Sequence, residues 1–144
     1  MNEEHELELL NLKNFLRPKD VASAKDLLEK NHENTMILGG GTFVHGLVAR
    51  GLVTHIETLV DVTNLPLNYF KQDTNCWKIG ATTRYVELEK KQEISSDPYF
   101  GGVSDALKYP PAQVRHAATI GGNLAASCPF FDMPVVMLAM GASV

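Results

Sequence analysis

The residues best placed to do chemistry in this chain are two glycine-rich turns, Leu38-Gly39-Gly40-Gly41-Thr42 and Ala118-Thr119-Ile120-Gly121-Gly122-Asn123-Leu124. Each is flanked by apolar residues and by a hydroxyl or amide side chain. Glycine lets the backbone approach a ligand closely, and successive bare N–H groups make a concave anion site. Two such turns converging on one elongated anion suit a dinucleotide pyrophosphate, and a helix that starts at such a turn adds partial positive charge. The same glycines also suit a tight connection that needs positive φ. Neither turn fits the commoner phosphate motifs. Gly39-x-Gly41 is followed by Val44 where G-x-G-x-x-G needs its third glycine, and no Gly-Lys-Ser/Thr follows either turn.

Other reactive residue types are scattered. His5, His32, His45, His55 and His116 show no metal-ligand spacing, so solvated or core roles are expected and no metal site. Cys76 and Cys128 are too far apart in sequence for a C-x-x-C pair and too few for a disulfide framework, which points to a reducing compartment. Asp20, Asp26 and Glu29 fall on the charged side of an amphipathic segment. A solvated face explains them better than an acid/base pair.

The chain has 144 residues, 44% of them apolar and 21% charged, the balance of a folded globular protein. Its 13 lysines and arginines are dispersed and the formal charge is -4, which excludes an electrostatic footprint for nucleic acid. The acidic start Met1-Asn2-Glu3-Glu4-His5-Glu6 lacks the basic flank of a signal peptide, and no apolar run reaches membrane-spanning length. A cytoplasmic location without a membrane partner is the expectation.

The elements that must carry the turns follow from pattern and punctuation. Leu9 to Phe15 reads as an extended apolar segment closed by Arg17-Pro18, and Asp20 is the N-cap of an amphipathic helix over Val21 to Lys30. Thr35 to Leu38 is a short strand entering the first turn. Thr42 to Arg50 follows as a helix with Gly51 past its end, and Thr58 to Val62 is the next strand. This β-α-β-α-β order favours a small parallel sheet. Beyond about residue 66 the architecture changes: Tyr69-Phe70-Lys71 and Cys76 to Gly80 form a hairpin around Gln72-Asp73-Thr74-Asn75. Thr82 or Thr83 caps a helix to about Gln92, Pro98 to Lys108 is helical before Tyr109-Pro110-Pro111, and Met133 to Met140 is a buried helix ended by Gly141. Two lobes are expected, residues 1–66 and 67–144. Ala142-Ser143-Val144 reads as the start of a strand, so the second lobe is expected to be incomplete.

Leu38-Gly39-Gly40-Gly41-Thr42, Ile79-Gly80-Ala81-Thr82-Thr83, Gln113 to Asn123 and Asp132-Met133-Pro134, in that order, resemble the FAD-binding subunit of molybdopterin dehydrogenases. That family includes the FAD domain of xanthine dehydrogenase and the medium subunit of carbon monoxide dehydrogenase. The resemblance covers Phe15 to Ala142, and its specific part is Thr-Ile-Gly-Gly-Asn followed by Asp-Met-Pro. It implies an α/β (α+β) fold of the vanillyl-alcohol-oxidase-like type, with a small parallel lobe, then an incomplete antiparallel lobe, and FAD between them. Gly39, Gly40, Gly41, Thr42 and Phe43 would form the first pyrophosphate turn and Thr119, Ile120, Gly121, Gly122 and Asn123 the second. Asp132 matches the acidic residue near the flavin end, although it also reads as a surface or capping aspartate. Phe43 departs from the smaller or polar residue common in the family. No histidine stands in the first turn, so noncovalent FAD is implied. Arg115 suits phosphate or an ordinary ion pair.

The function so implied is electron transfer between iron-sulfur clusters and NAD or another acceptor, with no catalytic acid or base, in a component inactive alone. A molybdenum-cofactor subunit and a 2Fe-2S subunit are the implied partners, since the two cysteines here cannot hold a cluster. Homo-oligomerisation stays open, as does a flavin-free structural or interaction module.

Overall fold

Proline, glycine and short polar residues set where several elements begin and end. In the computed structural model, which describes residues 12–30, 34–53 and 55–144, strand β1 (Asn14–Leu16) stops before Arg17-Pro18. Of the extended segment expected from Leu9, residues 9–11 lie outside the described residues. Helix α1 (Val21–Lys30) starts at Asp20, whose Oδ1 accepts from the Ser23 N–H at 2.7 Å. Strand β2 (Thr35–Leu38), helix α2 (Thr42–Ala49) and strand β3 (Thr58–Asp61) follow. The three strands form the expected parallel sheet in the order β1-β3-β2, with Leu59 opposite Phe15 on one side and Met36 on the other. Every residue of central β3 is buried, as a strand paired on both edges and covered by helices must be.

Asp61 closes this sheet. Its carboxylate is 5% exposed and accepts from Thr63 N (3.0 Å), Thr63 Oγ1 (2.6 Å) and Arg17 Nε (3.0 Å). Burial alone would raise its pKa, but the hydrogen bonds from Thr63 and the Arg17 guanidinium outweigh that and hold it below the ordinary aspartate value.

The remainder is mostly helical. Strands β4 (Phe70–Gln72) and β5 (Trp77–Ile79) form the expected antiparallel hairpin, its turn tied by Lys78 Nζ to Asp73 Oδ2 at 2.6 Å. Helices α3 (Tyr85–Glu89) and α4 (Gln92–Ser96), a 3-10 turn (Pro98–Phe100), and helices α5 (Gly101–Lys108), α6 (Ala112–Ala117), α7 (Ile120–Ala126) and α8 (Asp132–Ala139) complete the chain. Among the described residues, antiparallel pairing is confined to the hairpin and an isolated bridge between Arg84 and Thr119. The main core lies here, around Tyr85, Leu88, Ile94, Val103, Leu107 and Met133. Stacked Phe70 and Trp77 (4.7 Å between centroids) pack on it, with the Trp77 ring edge-on to Phe100.

Two local expectations are corrected. The helix expected from Thr82 or Thr83 to Gln92 begins instead at Tyr85 and breaks before Gln92. Glu87 Oε2 accepts from the Arg84 N–H at 2.8 Å to start it. Thr83 cannot cap, because its hydroxyl accepts from Tyr69 N and donates to Tyr69 O, both at 3.1 Å, tying this segment to the hairpin. The helix expected to be buried over Met133 to Met140 is α8, in which Met133 is buried while Val135 and Leu138 are 65% and 79% exposed.

A carboxylate with a depressed folded-state pKa contributes stability above its unfolded value and loses it as pH falls through the folded one. Asp61→Asn should therefore destabilise the protein by about 1–3 kcal/mol at neutral pH. Urea unfolding at a series of pH values should show the gap between the two proteins closing as pH drops through the aspartate range.

Candidate dinucleotide-binding site

The first glycine turn grows directly out of the sheet. The β2–β3 ladder ends with Val62 N donating to Leu38 O at 3.0 Å, after which Gly39 and Gly40 turn the chain towards α2. Gly41 is the N-cap of α2 with φ 73°, a left-handed conformation that glycine alone adopts without cost. No described residue accepts a hydrogen bond from the N–H of Gly39, Gly40 or Gly41. Thr42 and Phe43 open α2, where the first amides have no intrahelical acceptor. This wall therefore presents a run of free donors at a positive helix end, as the residue types predict.

The second turn is different. Thr119 is the N-cap of α7, and its Oγ1 accepts from Gly122 N at 3.2 Å. Ile120 N donates to Thr83 O and Gly121 N to Ala81 O, both at 2.9 Å, while Asn123 N donates to Thr119 O at 3.0 Å. The expectation of bare amides on both turns is thus wrong for the second, where they are spent inside the fold. Packing is what requires glycine here: a Cβ at Gly121 would lie 2.6 Å from Ala81 Cβ, and one at Gly122 would lie 2.8 Å from Thr119 Oγ1.

The two turns touch. A Cβ at Gly40 would stand 1.9 Å from Ala117 O and 2.9 Å from Ala118 Cα, and one at Gly39 would stand 2.9 Å from Thr119 Oγ1. Along this seam runs a cleft of about 910 Å³. Gly39, Gly40, Gly41, Thr42 and Phe43 line it from one side and Thr119, Gly121, Gly122 and Asn123 from the other. Helix α1 and strand β2 also line it, with the apolar Ala24, Leu28 and Met36 beside Lys25 and Glu29.

Two expected site residues lie off this surface. Ile120 is 4% exposed and points into the core, leaving it a structural anchor for the turn. Asp132 is exposed at the start of α8 and is not among the residues lining the cleft. Burial, and then the charge of the nearby Asp132 carboxylate, push the Tyr85 phenol above its ordinary pKa. Phe131, which precedes Asp132, does line the cleft and meets Phe43 edge-on at 5.5 Å between centroids. Sequence reasoning missed Phe131 and Thr82 as lining residues. Thr82 belonged to a family-like block but read as a helix cap, and no local signal marks Phe131.

Two buried side-chain oxygens in the described structure have no hydrogen-bond partner, Thr82 Oγ1 and Asn123 Oδ1. Both residues line the cleft. A free-donor turn, glycine positions with no room for a side chain and paired orphan oxygens together fit a flavin dinucleotide. The family of FAD-binding domains in molybdopterin dehydrogenases matches residues 10–144.

The chain belongs to that family.

This FAD-binding domain is 30% identical over 132 residues to the glyceraldehyde dehydrogenase medium chain of Sulfolobus acidocaldarius, covering 90% of the present chain and 46% of that one. It is 32% identical over 131 residues to the carbon monoxide dehydrogenase medium chain of Afipia carboxidovorans, covering 90% and 44%. The solved carbon monoxide dehydrogenase of Hydrogenophaga pseudoflava, at 25% identity, superposes with a TM-score of 0.82 over 91% of this chain and 45% of that one. The chain therefore spans somewhat under half the length of these relatives. Among its described residues no helix is long and apolar enough to cross a membrane, and no cluster of three or more His, Cys, Asp or Glu could hold a metal ion.

Two glycine-to-alanine changes should separate contact from flexibility. Gly40→Ala drives a Cβ into the Ala117 carbonyl, and an unfolding free energy lowered by about 3 kcal/mol is expected. Gly46→Ala, inside α2 with no atom within 4 Å of its Cβ, should stabilise the protein by about 0.5–1 kcal/mol in the same denaturant titration.

Proposed function

We propose that this chain is the FAD-binding electron-transfer component of a molybdenum hydroxylase-type oxidoreductase, with residues 1–66 and 67–144 as the two lobes flanking the cofactor. The observation that carries the reading is the contact of Gly40 with Ala117 and Ala118, which lays a wall of free N–H donors along a cleft faced by the second turn.

Within that cleft the amides of Gly39, Gly40, Gly41, Thr42 and Phe43 are assigned to the diphosphate. Short N–H hydrogen bonds to an anion are about twice as strong as neutral ones, so this wall supplies most of the polar binding energy. Thr119, Gly121, Gly122 and Asn123 form the facing wall, and Ile120 fixes it to the core. Asp132, one residue beyond Phe131, is exposed and off the cleft lining, so no contact with the flavin is assigned to it. Phe43 and Phe131 meet edge-on on the cleft lining, and the apolar surface of Ala24, Leu28 and Met36 suits a flat ring. FAD, when bound, supplies the redox chemistry. The protein's own part is to hold, orient and desolvate, and no side chain is needed as acid or base.

Electrons would pass between a partner's iron-sulfur clusters and NAD or another acceptor. A molybdenum-cofactor subunit and a 2Fe-2S subunit are the proposed partners, supported by relatives that carry the names medium chain and Cu,Mo-CO dehydrogenase. The proposed location is the cytoplasm.

If the diphosphate is the anchor, ligands that contain it should stabilise the fold and the bare flavin should not. A ligand at a hundred times its Kd adds about 2.7 kcal/mol. Thermal unfolding of the chain should shift upward with FAD and with ADP and stay unchanged with riboflavin. No shift at saturating FAD would count against the reading and for a flavin-free module.

A further inference from the structure

Thr82 and Thr83 are adjacent, both buried, and chemically divided. Thr83 has its hydroxyl engaged twice by Tyr69. Thr82 is 5% exposed, its backbone N–H is held by Leu67 O at 3.0 Å, and its hydroxyl has no partner although the residue lines the cleft. The other orphan, Asn123 Oδ1, comes from the first turn of α7. The Gly121 N–H to Ala81 O bond at 2.9 Å joins the two segments. Two unpaired buried oxygens on one wall are costly unless something arrives to pair with them.

We propose that Thr82, with Asn123, is a recognition site for a hydroxyl of the sugar chain adjoining the diphosphate, so that the two walls of the cleft read different chemistry. This rests on the FAD reading above and deepens it. The second turn has spent the amides of Ile120, Gly121, Gly122 and Asn123, so it has few donors left for phosphate. A threonine hydroxyl donates one hydrogen bond and accepts others, and an asparagine amide does both, which is the complement of an alcohol rather than of an anion. Phosphate belongs to the wall of Gly39 to Phe43 and hydroxyl groups to the wall of Thr82 and Asn123.

Thr82→Val removes the hydroxyl while keeping the shape. In the ligand-free chain it deletes a buried unpaired oxygen, so the unfolding midpoint should equal or exceed that of the parent. FAD affinity, followed by flavin fluorescence, should fall about tenfold. Thr83→Val should do the reverse, lowering the midpoint and leaving FAD affinity unchanged, because it breaks the Tyr69 contacts.

ADP distinguishes the two sugars. Weaker binding of both FAD and ADP by Thr82→Val supports contact with the ribose, and weaker binding of FAD alone supports contact with the ribityl chain. Unchanged affinity for both ligands, or a lowered ligand-free midpoint, would overturn the assignment of Thr82 while leaving FAD binding intact. A parent chain that binds neither ligand would overturn the FAD reading itself.

Discussion

A carbonyl oxygen, that of Ala117, occupies the space in which any side chain at position 40 would begin. This contact brings the loop that leaves the parallel sheet against the start of α7, and the cleft is the groove left along their line of approach. The bare backbone at Gly39 and Gly40 is thus required by packing before any ligand is considered. The same holds on the other side, where Gly121 lies flat on Ala81 and Gly122 on Thr119. Interiors are close-packed, so a shift of even a methyl group along such a seam must be absorbed by the backbone on one side or the other.

The two turns look alike in sequence and differ in what they offer. At the first, the left-handed Gly41 aims the chain into α2 with its leading amides unused, the arrangement that favours anions at a helix start. At the second, the amides go to Thr83, Ala81 and Thr119, which fastens α7 to the segment after the hairpin. One wall gains binding capacity because the other gives up its own to hold the fold together. Phe43 and Phe131, each adjoining one of these regions, add an aromatic contact across the same groove. Such an edge-on pair contributes about 0.5–1.5 kcal/mol beyond its buried area.

Much of the fold could be read along the chain because its signals are local. Asp20 before Val21, Gly41 before α2, Gly51 and Gly141 past helix ends, and the polar loop between β4 and β5 each act within a few residues. The order of strands and helices then leaves a parallel sheet as the natural outcome for the first part. The helix start at Tyr85 is not legible locally, because the group that engages the Thr83 hydroxyl, Tyr69, lies 14 residues away. A hydroxyl that satisfies a hairpin cannot also cap a helix.

By itself, the sequence determined that this chain carries two glycine-rich turns on alternating elements, and through their order and company the family to which it belongs. Tertiary structure alone decided which turn keeps free N–H donors, that Ile120 faces the core, that Asp132 stands outside the groove, and that Thr82 is left unpaired. The reason is physical. Residue type and spacing say what a backbone or side-chain group can bond to, whereas the partner it takes depends on which distant segment folding brings within three ångströms of it.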